Sequence, residues 1–133
     1  SRGLGDVYKR QILDKEIKDK KHKYPKQSND FCLITNISDH KLTKNIETLC
    51  FGLKNGRAIK IMDESKFNKY EHLAFTSETS SLPNAPILTL FSVENGFVIA
   101  YGSTYSFSSY KVDTVNFYDN LSLISNIFLL KWI

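Results

Sequence analysis

The sequence contains two groups of short, alternating apolar segments that follow one another at a nearly constant spacing. The segments Arg57–Asp63 (RAIKIMD) and Asp113–Asp119 (DTVNFYD) both alternate apolar residues, end in aspartate and lie 56 residues apart. Ile46–Gly52 (IETLCFG) matches Gly96–Gly102 (GFVIAYG) at an offset of 50 residues. The two offsets differ by six residues because the connection between these segments is longer in the second group. The chain therefore contains two copies of one β-rich unit.

From residue 31 onward the chain consists of β-type runs separated by turn residues. The runs are Phe31–Ile37, Ile46–Leu53, Arg57–Met62, Tyr70–Thr76, Ile87–Val93, Phe97–Gly102, Val112–Tyr118 and Leu121–Ile124, with a further strand opening at Ile127–Ile133. Asn55-Gly56 and Asn95-Gly96 predict tight hairpins, because both residue types tolerate positive φ. No stretch shows sustained apolar residues at helical spacing. The pattern predicts an all-β, antiparallel fold.

A repeat of about 50 residues carrying four strands is typical of a β-propeller blade. We predict two antiparallel four-stranded blades of an incomplete β-propeller, with residues 31–80 as the first blade and 81–124 as the second. Residues 125–133 would begin a further strand. Two blades cannot close a ring, because propellers use about four to eight. The alternative is a separate sandwich or barrel of about eight strands.

Gly52–Asp63 (GLKNGRAIKIMD) resembles the second hairpin of a WD40-type blade, in which a turn ending in glycine leads to a strand that closes in Trp-Asp. Met62-Asp63 and Tyr118-Asp119 stand at the position of that dipeptide, and no Gly-His pair precedes them. The resemblance covers about residues 31–124. It implies a WD40-like propeller fragment.

A second resemblance concerns the order of the hairpin, loop and strands that follow one another along the chain. It is similar to the N-terminal propeller of cytoplasmic-face nucleoporins; the segments that carry the similarity are Gly52–Ile61, Thr76–Pro86, Ile87–Phe91 and Phe97–Tyr101. This resemblance implies a scaffold that binds peptide or helicase partners on the rim of the ring.

The first 30 residues are predicted to lie outside the repeated units. Ser1–Gln11 (SRGLGDVYKRQ) resembles a translated sequencing adapter of the transposase type, and we predict that it is not native protein. Without it the formal net charge falls from +4 to +2, which removes most of the case for nucleic-acid binding. Ile12–Asp30 is Lys-rich and polar and is predicted to be a linker or surface loop. The alternative is a nuclear-localisation or phosphate-binding patch.

The candidate catalytic residues do not form a motif. His22, His40 and His72 are each isolated, whereas a metal site needs three or four converging ligands. Cys32 and Cys50 lie in apolar runs and are predicted to be buried free thiols. The carboxylates at strand ends, including Asp119, are predicted to bond backbone groups. We therefore predict a chain that is not an enzyme and has no cofactor and no metal.

The hydroxyl-rich insert Ser103–Tyr110 is the candidate partner-binding loop. Tyr105, Phe107 and Tyr110 supply aromatic area there, and loops often carry recognition. The alternative is a tolerated loop insertion. The sequence also carries two glycosylation sequons, beginning at Asn36 and Asn120, which we interpret as coincidental.

Taken together, these features predict a non-catalytic protein-interaction scaffold with protein partners on the propeller rim. The second resemblance implies that this scaffold is a nucleoporin in nucleocytoplasmic transport. The alternatives are a propeller of a vesicle-tethering or coat-type complex, and part of a propeller enzyme or sensor whose active site lies elsewhere. No apolar run approaches the ~18 residues of a membrane span. We expect an intracellular location, in the cytoplasm or at the nuclear envelope.

Overall fold

A computed structural model describes residues 6–7, 31–53, 56–61, 69–103, 105–107 and 114–130. Its elements are β1 (Asp6–Val7), β2 (Phe31–Ile34), β3 (Asn36–Ile37), β4 (Leu49–Gly52), β5 (Ile59–Lys60), β6 (Lys69–Phe75), β7 (Pro86–Val93), β8 (Gly96–Tyr101) and helix α1 (Asn120–Leu129). Short 3-10 turns cover Tyr105–Phe107 and Thr114–Asn116. The described chain is mostly antiparallel β, which supports the all-β prediction in its broad form.

The largest sheet is antiparallel and has the strand order β3-β6-β7-β8. Its three long strands confirm the runs predicted at residues 70–76, 87–93 and 97–102. β7 and β8 form a hairpin in which Val93 pairs with Gly96. The two loop residues are Glu94 and Asn95, and Glu94 takes the left-handed conformation with φ 53°. The predicted hairpin is thus present, and its turn begins one residue before Asn95-Gly96.

The remaining strands form two smaller antiparallel pairs, β2–β4 and β1–β5. The predicted hairpin at Asn55-Gly56 does not appear as a β4–β5 pair among the described strands: β4 pairs with β2, and β5 with β1. A turn is still closed there, since the Gly56 amide donates to the Leu53 carbonyl at 2.9 Å. The next amide, that of Arg57, donates to the Gly102 carbonyl at 2.8 Å. This bond ties the turn to the end of β8.

The two cysteines lie on opposite faces of the β2–β4 pair. Cys32 pairs with Phe51, and both side chains belong to the main hydrophobic core. Cys50 belongs to a second cluster with Phe31 and Phe117. Both cysteines are buried and neither is in a disulfide, as predicted. Because side chains alternate across a strand, this register keeps the two sulfur atoms apart.

The C-terminal part of the described chain corrects the prediction of strands. Leu121–Ile124 and the first residues of Ile127–Ile133 lie in helix α1, and Thr114–Asn116 forms a 3-10 turn. Tyr118 alone makes an isolated bridge, to Leu49. The alternating leucines of LSLI fit either element, so their period did not identify the helix.

The propeller arrangement is not confirmed. The four-stranded sheet joins β3 and β6, from the predicted first blade, to β7 and β8, from the predicted second blade. β2 and β4, which also belong to the predicted first blade, pair with each other in a separate two-stranded sheet. Of the last two strands predicted for the second unit, Val112–Tyr118 contains the 3-10 turn Thr114–Asn116, with residues 112–113 outside the described ranges, and Leu121–Ile124 lies in α1. The sequence repeat therefore does not correspond to two separate sheets.

Candidate interaction surface

Helix α1 is held against the rest of the chain by the residue that precedes it. The Asp119 carboxylate oxygen Oδ2 accepts hydrogen bonds from the amides of Glu47, at 2.9 Å, and Thr48, at 3.0 Å. The Asp119 amide donates to the Thr48 carbonyl at 3.0 Å. This aspartate therefore bonds backbone groups, as predicted for the carboxylates at strand ends. It aligns the start of α1 with the start of β4.

The first residue of the helix, Asn120, is completely buried, and its carboxamide bonds the backbone of β4 as a neighbouring strand would. Its Oδ1 accepts from the Cys50 amide, and its Nδ2 donates to the Cys50 carbonyl, both at 2.9 Å. Nδ2 also lies 2.9 Å from the Ser106 carbonyl oxygen and 3.0 Å from that of Thr114. The carboxamide thus joins β4, both 3-10 turns and the helix. Its burial agrees with the interpretation of the Asn120 sequon as coincidental.

The inner side of α1 is fixed along its length. Leu123 is buried in the main core, and Ile127 and Leu130 pack against that core. Near the C-terminal end, Asn126 Nδ2 donates to the carbonyls of Leu42, at 2.9 Å, and Lys44, at 3.0 Å. These contacts attach the helix to the core from Leu123 to Leu130.

The opposite side of the helix is apolar and exposed. Phe128 is 84% exposed, Leu129 72% and Leu121 50%. Leu121 and Phe128 lie seven residues apart, on one side of the helix, with the partly exposed Ile124 between them. All ten residues of α1 are uncharged. We call Leu121, Ile124, Phe128 and Leu129 the outer face of α1. A helix with apolar residues on two sides is typically packed against other structure on both sides.

A groove lies where the end of α1 meets the four-stranded sheet. It has a volume of about 590 Å³. Its lining combines charged and polar residues with apolar ones: His40, Lys69, Tyr70, Glu71, Leu90, Ser92, Glu94, Asn95, Gly96, Phe97 and Leu130. His40 is oriented by the Leu42 amide, which donates to its Nδ1 at 3.0 Å. The groove therefore offers polar and apolar contacts side by side.

The predicted partner-binding residues have different positions. Phe107 is half-buried, and its ring centroid lies 5.1 Å from that of Tyr101. Tyr105 begins the 3-10 turn, and Tyr110 lies outside the described residues. The described part of this loop faces the protein, because Ser103 Oγ donates to the Gly52 carbonyl at 2.6 Å and Ser106 Oγ accepts from the Gly52 amide at 2.8 Å.

Tyr101, beside this loop, has a buried hydroxyl with no hydrogen-bond partner of ordinary geometry within the described residues. Burial raises the pKa of this hydroxyl far above its usual value, because the ionised form would lose its hydration. Ser106 opposes the rise only in part. The group is therefore held neutral at the edge of the main core, where its ring packs against that of Phe51.

The described histidines do not assemble a metal centre. His72 Nδ1 is 2.7 Å from Thr89 Oγ1, on the face of the sheet opposite Leu90. His40 lies at the groove, and His22 is outside the described residues. Over the ranges that the structure describes, no three His, Cys, Asp or Glu residues lie close enough to hold an ion. The same part of the chain holds no helix that is long and apolar enough to cross a membrane.

Sequence reasoning missed the outer face of α1 because it missed the helix. A signal was present, since Asn120, Leu123, Ile127 and Leu130 are spaced by three, four and three residues and form the buried side. Apolar residues on the second side obscured that spacing. Testing each set of residues for helical spacing separately would have identified both the buried side and the outer face.

No protein-family model and no curated protein sequence matches the chain. Among solved structures, the chain is similar to the "mmIFT52 N-terminal domain", with a TM-score of 0.65 and 15% identity over 93% of this chain. The chain spans 51% of that structure, about half its length. At this identity the similarity shows the fold alone. It supports a β-rich relation and does not support the WD40 or nucleoporin membership predicted from the sequence.

Proposed function

We propose that this chain is a non-catalytic protein-interaction domain of an intracellular trafficking complex, and that it docks on a partner subunit through the outer face of α1. The observation that carries the proposal is the exposure of Phe128 and Leu129 on a helix whose other side packs against the main core. Large exposed apolar side chains grouped on one helix are typical of an interaction site.

The chemistry of the outer face indicates the kind of partner. The face is uncharged, so its partner gains little from electrostatic complementarity and must offer an apolar groove or helix. Ser122 and Ser125 are exposed between the larger residues. Their small side chains leave room for ridges of a partner helix to pack between Leu121 and Phe128.

The trafficking assignment rests on the structural similarity. The similar domain belongs to an intraflagellar transport protein, which works in a protein complex. Such a role also fits the prediction of a protein-interaction scaffold. The vesicle-tethering or coat-type alternative falls in the same broad class. The nucleoporin, the propeller rim and the enzyme or sensor with a distant active site remain predictions, and no contact described above favours them.

The test is affinity purification of the tagged chain from ciliated cells, followed by quantitative mass spectrometry. The double variant F128S/L129S removes the apolar face and should keep the fold, because both side chains are largely in solvent. Glu78→Ser, at an exposed residue in the turn after β6, is the matched control.

We expect subunits of a transport complex to be enriched with the wild type and with E78S, and to fall at least tenfold with F128S/L129S. Circular dichroism should show all three proteins folded. Equal enrichment with all three would exclude the outer face of α1 as the docking surface. Absence of transport subunits from the wild-type sample would refute the trafficking assignment.

A further inference from the structure

The groove at the end of α1 has one face of the four-stranded sheet as its floor. Leu90 of β7 pairs with Glu71 of β6. Ser92, two residues further along β7, pairs with Lys69 of β6 and with Phe97 of β8. Residues two apart in a strand, and residues directly opposite each other on paired strands, share a face of the sheet. All five line the groove, so its floor combines apolar, charged and hydroxyl-bearing side chains.

The apolar part of this floor is incompletely covered. Leu90 packs against the main core and is still only half-buried, and Phe97 is half-buried as well. The cavity above them measures about 590 Å³, which leaves room for a large aromatic side chain. The Glu71 carboxylate and the Ser92 hydroxyl can accept a hydrogen bond at the same place. A tryptophan side chain has this combination of properties, since its ring is apolar and its N–H only donates.

The last described residue of the chain lies at this groove. Leu130 lines it, packs against the main core and has the extended backbone conformation, with φ −69° and ψ 120°. The next two residues in the sequence are Lys131 and Trp132, which lie outside the described residues. An extended chain advances about 3.3 Å per residue, and its side chains alternate in direction. Continued in this conformation, the chain brings Trp132 to the same side as Leu130, about 7 Å further on.

We propose that the indole ring of Trp132 occupies the groove, where it covers Leu90 and Phe97 and donates its N–H to a polar group of the floor. The alternation that turns Trp132 inward turns Lys131 outward, where its ammonium group stays in water. The occupant is this segment rather than a separate peptide, because only one residue lies between Leu130 and Trp132. The contact is then intramolecular and loses none of the translational freedom that a separate peptide would lose. The proposal is independent of the proposed function, which concerns the outer face of α1.

The first test uses intrinsic fluorescence of the whole chain. The sequence contains a single tryptophan, so the tryptophan emission reports on Trp132 alone. We expect the emission maximum of the folded protein to lie at shorter wavelength than that of the protein unfolded in urea. The acrylamide quenching constant should be at least threefold lower in the folded protein. Both results should be the same at two protein concentrations a hundredfold apart, because the contact lies within one chain.

The second test locates the ring. Nuclear Overhauser cross-peaks are expected between the indole protons of Trp132 and the methyl groups of Leu90. Ser92→Arg puts a long charged side chain on the groove floor at an exposed position, and it should raise the quenching constant at least threefold and remove these cross-peaks. Glu78→Arg, at an exposed residue that does not line the groove, is the control and should change neither. Circular dichroism shows whether both variants are folded; if S92R is not, the wild-type cross-peaks decide.

Three results would overturn the proposal. The first is a Trp132 that acrylamide quenches as strongly in the folded protein as in urea. The second is a protected Trp132 that shows no cross-peaks to Leu90 and keeps its protection in S92R, because the ring would then be buried elsewhere. The third is protection that appears only at the higher protein concentration, which would assign the groove to the same segment of a second copy.

Discussion

The buried carboxamide of Asn120 should make the largest contribution of any polar side chain to the stability of the described fold. In N120A, the Cys50 amide loses its acceptor in a fully buried position, which costs about 1–3 kcal/mol. The carbonyls of Cys50, Ser106 and Thr114 also lose a donor, at roughly 1 kcal/mol for each bond that is not replaced. Because Nδ2 has two hydrogens for these three acceptors, we count two such bonds.

The expected loss in the free energy of unfolding is therefore about 3–5 kcal/mol, a large part of the ~5–15 kcal/mol typical of a domain. Asn126→Ala is the matched control, because it removes an asparagine of the same helix that donates to two backbone carbonyls. The Lys44 carbonyl is exposed and can bond water instead, so the Leu42 carbonyl, in a buried residue, is the one that loses its donor. N126A should therefore cost no more than about 1 kcal/mol.

The measurement is urea unfolding followed by circular dichroism. With a slope of about 2 kcal/mol per molar urea, N120A should lower the midpoint by about 1.5–2.5 M and N126A by at most ~0.5 M. Hydrogen exchange at the Cys50 amide gives a local readout, and its protection should collapse in N120A. Equal urea midpoints for the two variants would refute the argument that the Asn120 side chain bonds β4 as a neighbouring strand would. Unchanged protection of the Cys50 amide in N120A would refute it too.

Two further substitutions test the packing around β8. Gly102→Ala should lower the free energy of unfolding by about 2–4 kcal/mol, because a Cβ at this position would overlap the Arg57 carbonyl oxygen; thermal unfolding with an unchanged melting temperature would contradict the close approach. Tyr101→Phe should leave the protein equally stable or about 1 kcal/mol more stable at neutral pH, because it removes a buried hydroxyl that has no good partner. In the wild type the raised pKa of Tyr101 keeps the folded form neutral while the unfolded form ionises above about pH 10, so stability should fall as the pH rises beyond that value. Y101F should show a smaller fall in urea titrations at pH 9 and pH 11, and an equal fall in both proteins would exclude Tyr101 as its source.

The features that sequence reasoning predicted correctly are local ones. The β7–β8 hairpin follows from two apolar runs and a turn that contains Asn95, all within sixteen residues. Burial of Cys32 and Cys50 follows from the apolar runs around them. Asp119 bonds backbone groups, as a carboxylate at the end of a segment commonly does. Each of these depends on neighbours in the chain.

Helix α1, which carries the candidate interaction surface, could not be identified by the same reasoning. Its ten residues are apolar or small on both sides, so neither strand nor helix period was decisive. Its start is determined by contacts with residues about 70 positions earlier, where Asp119 and Asn120 bond the 47–50 segment. A pattern along the chain contains no information about those partners.

The pairing of strands shows the same division. Short runs and turn residues were enough to locate β6, β7 and β8, because strand formation depends on alternation over a few residues. Which strands pair was decided by the folded chain. Asn36 and Ile37 pair with Phe75 and Ala74 of β6, and β6 in turn pairs with β7, which belongs to the predicted second blade. Pairing between distant segments depends on which apolar faces can be buried together, and that quantity belongs to the whole fold.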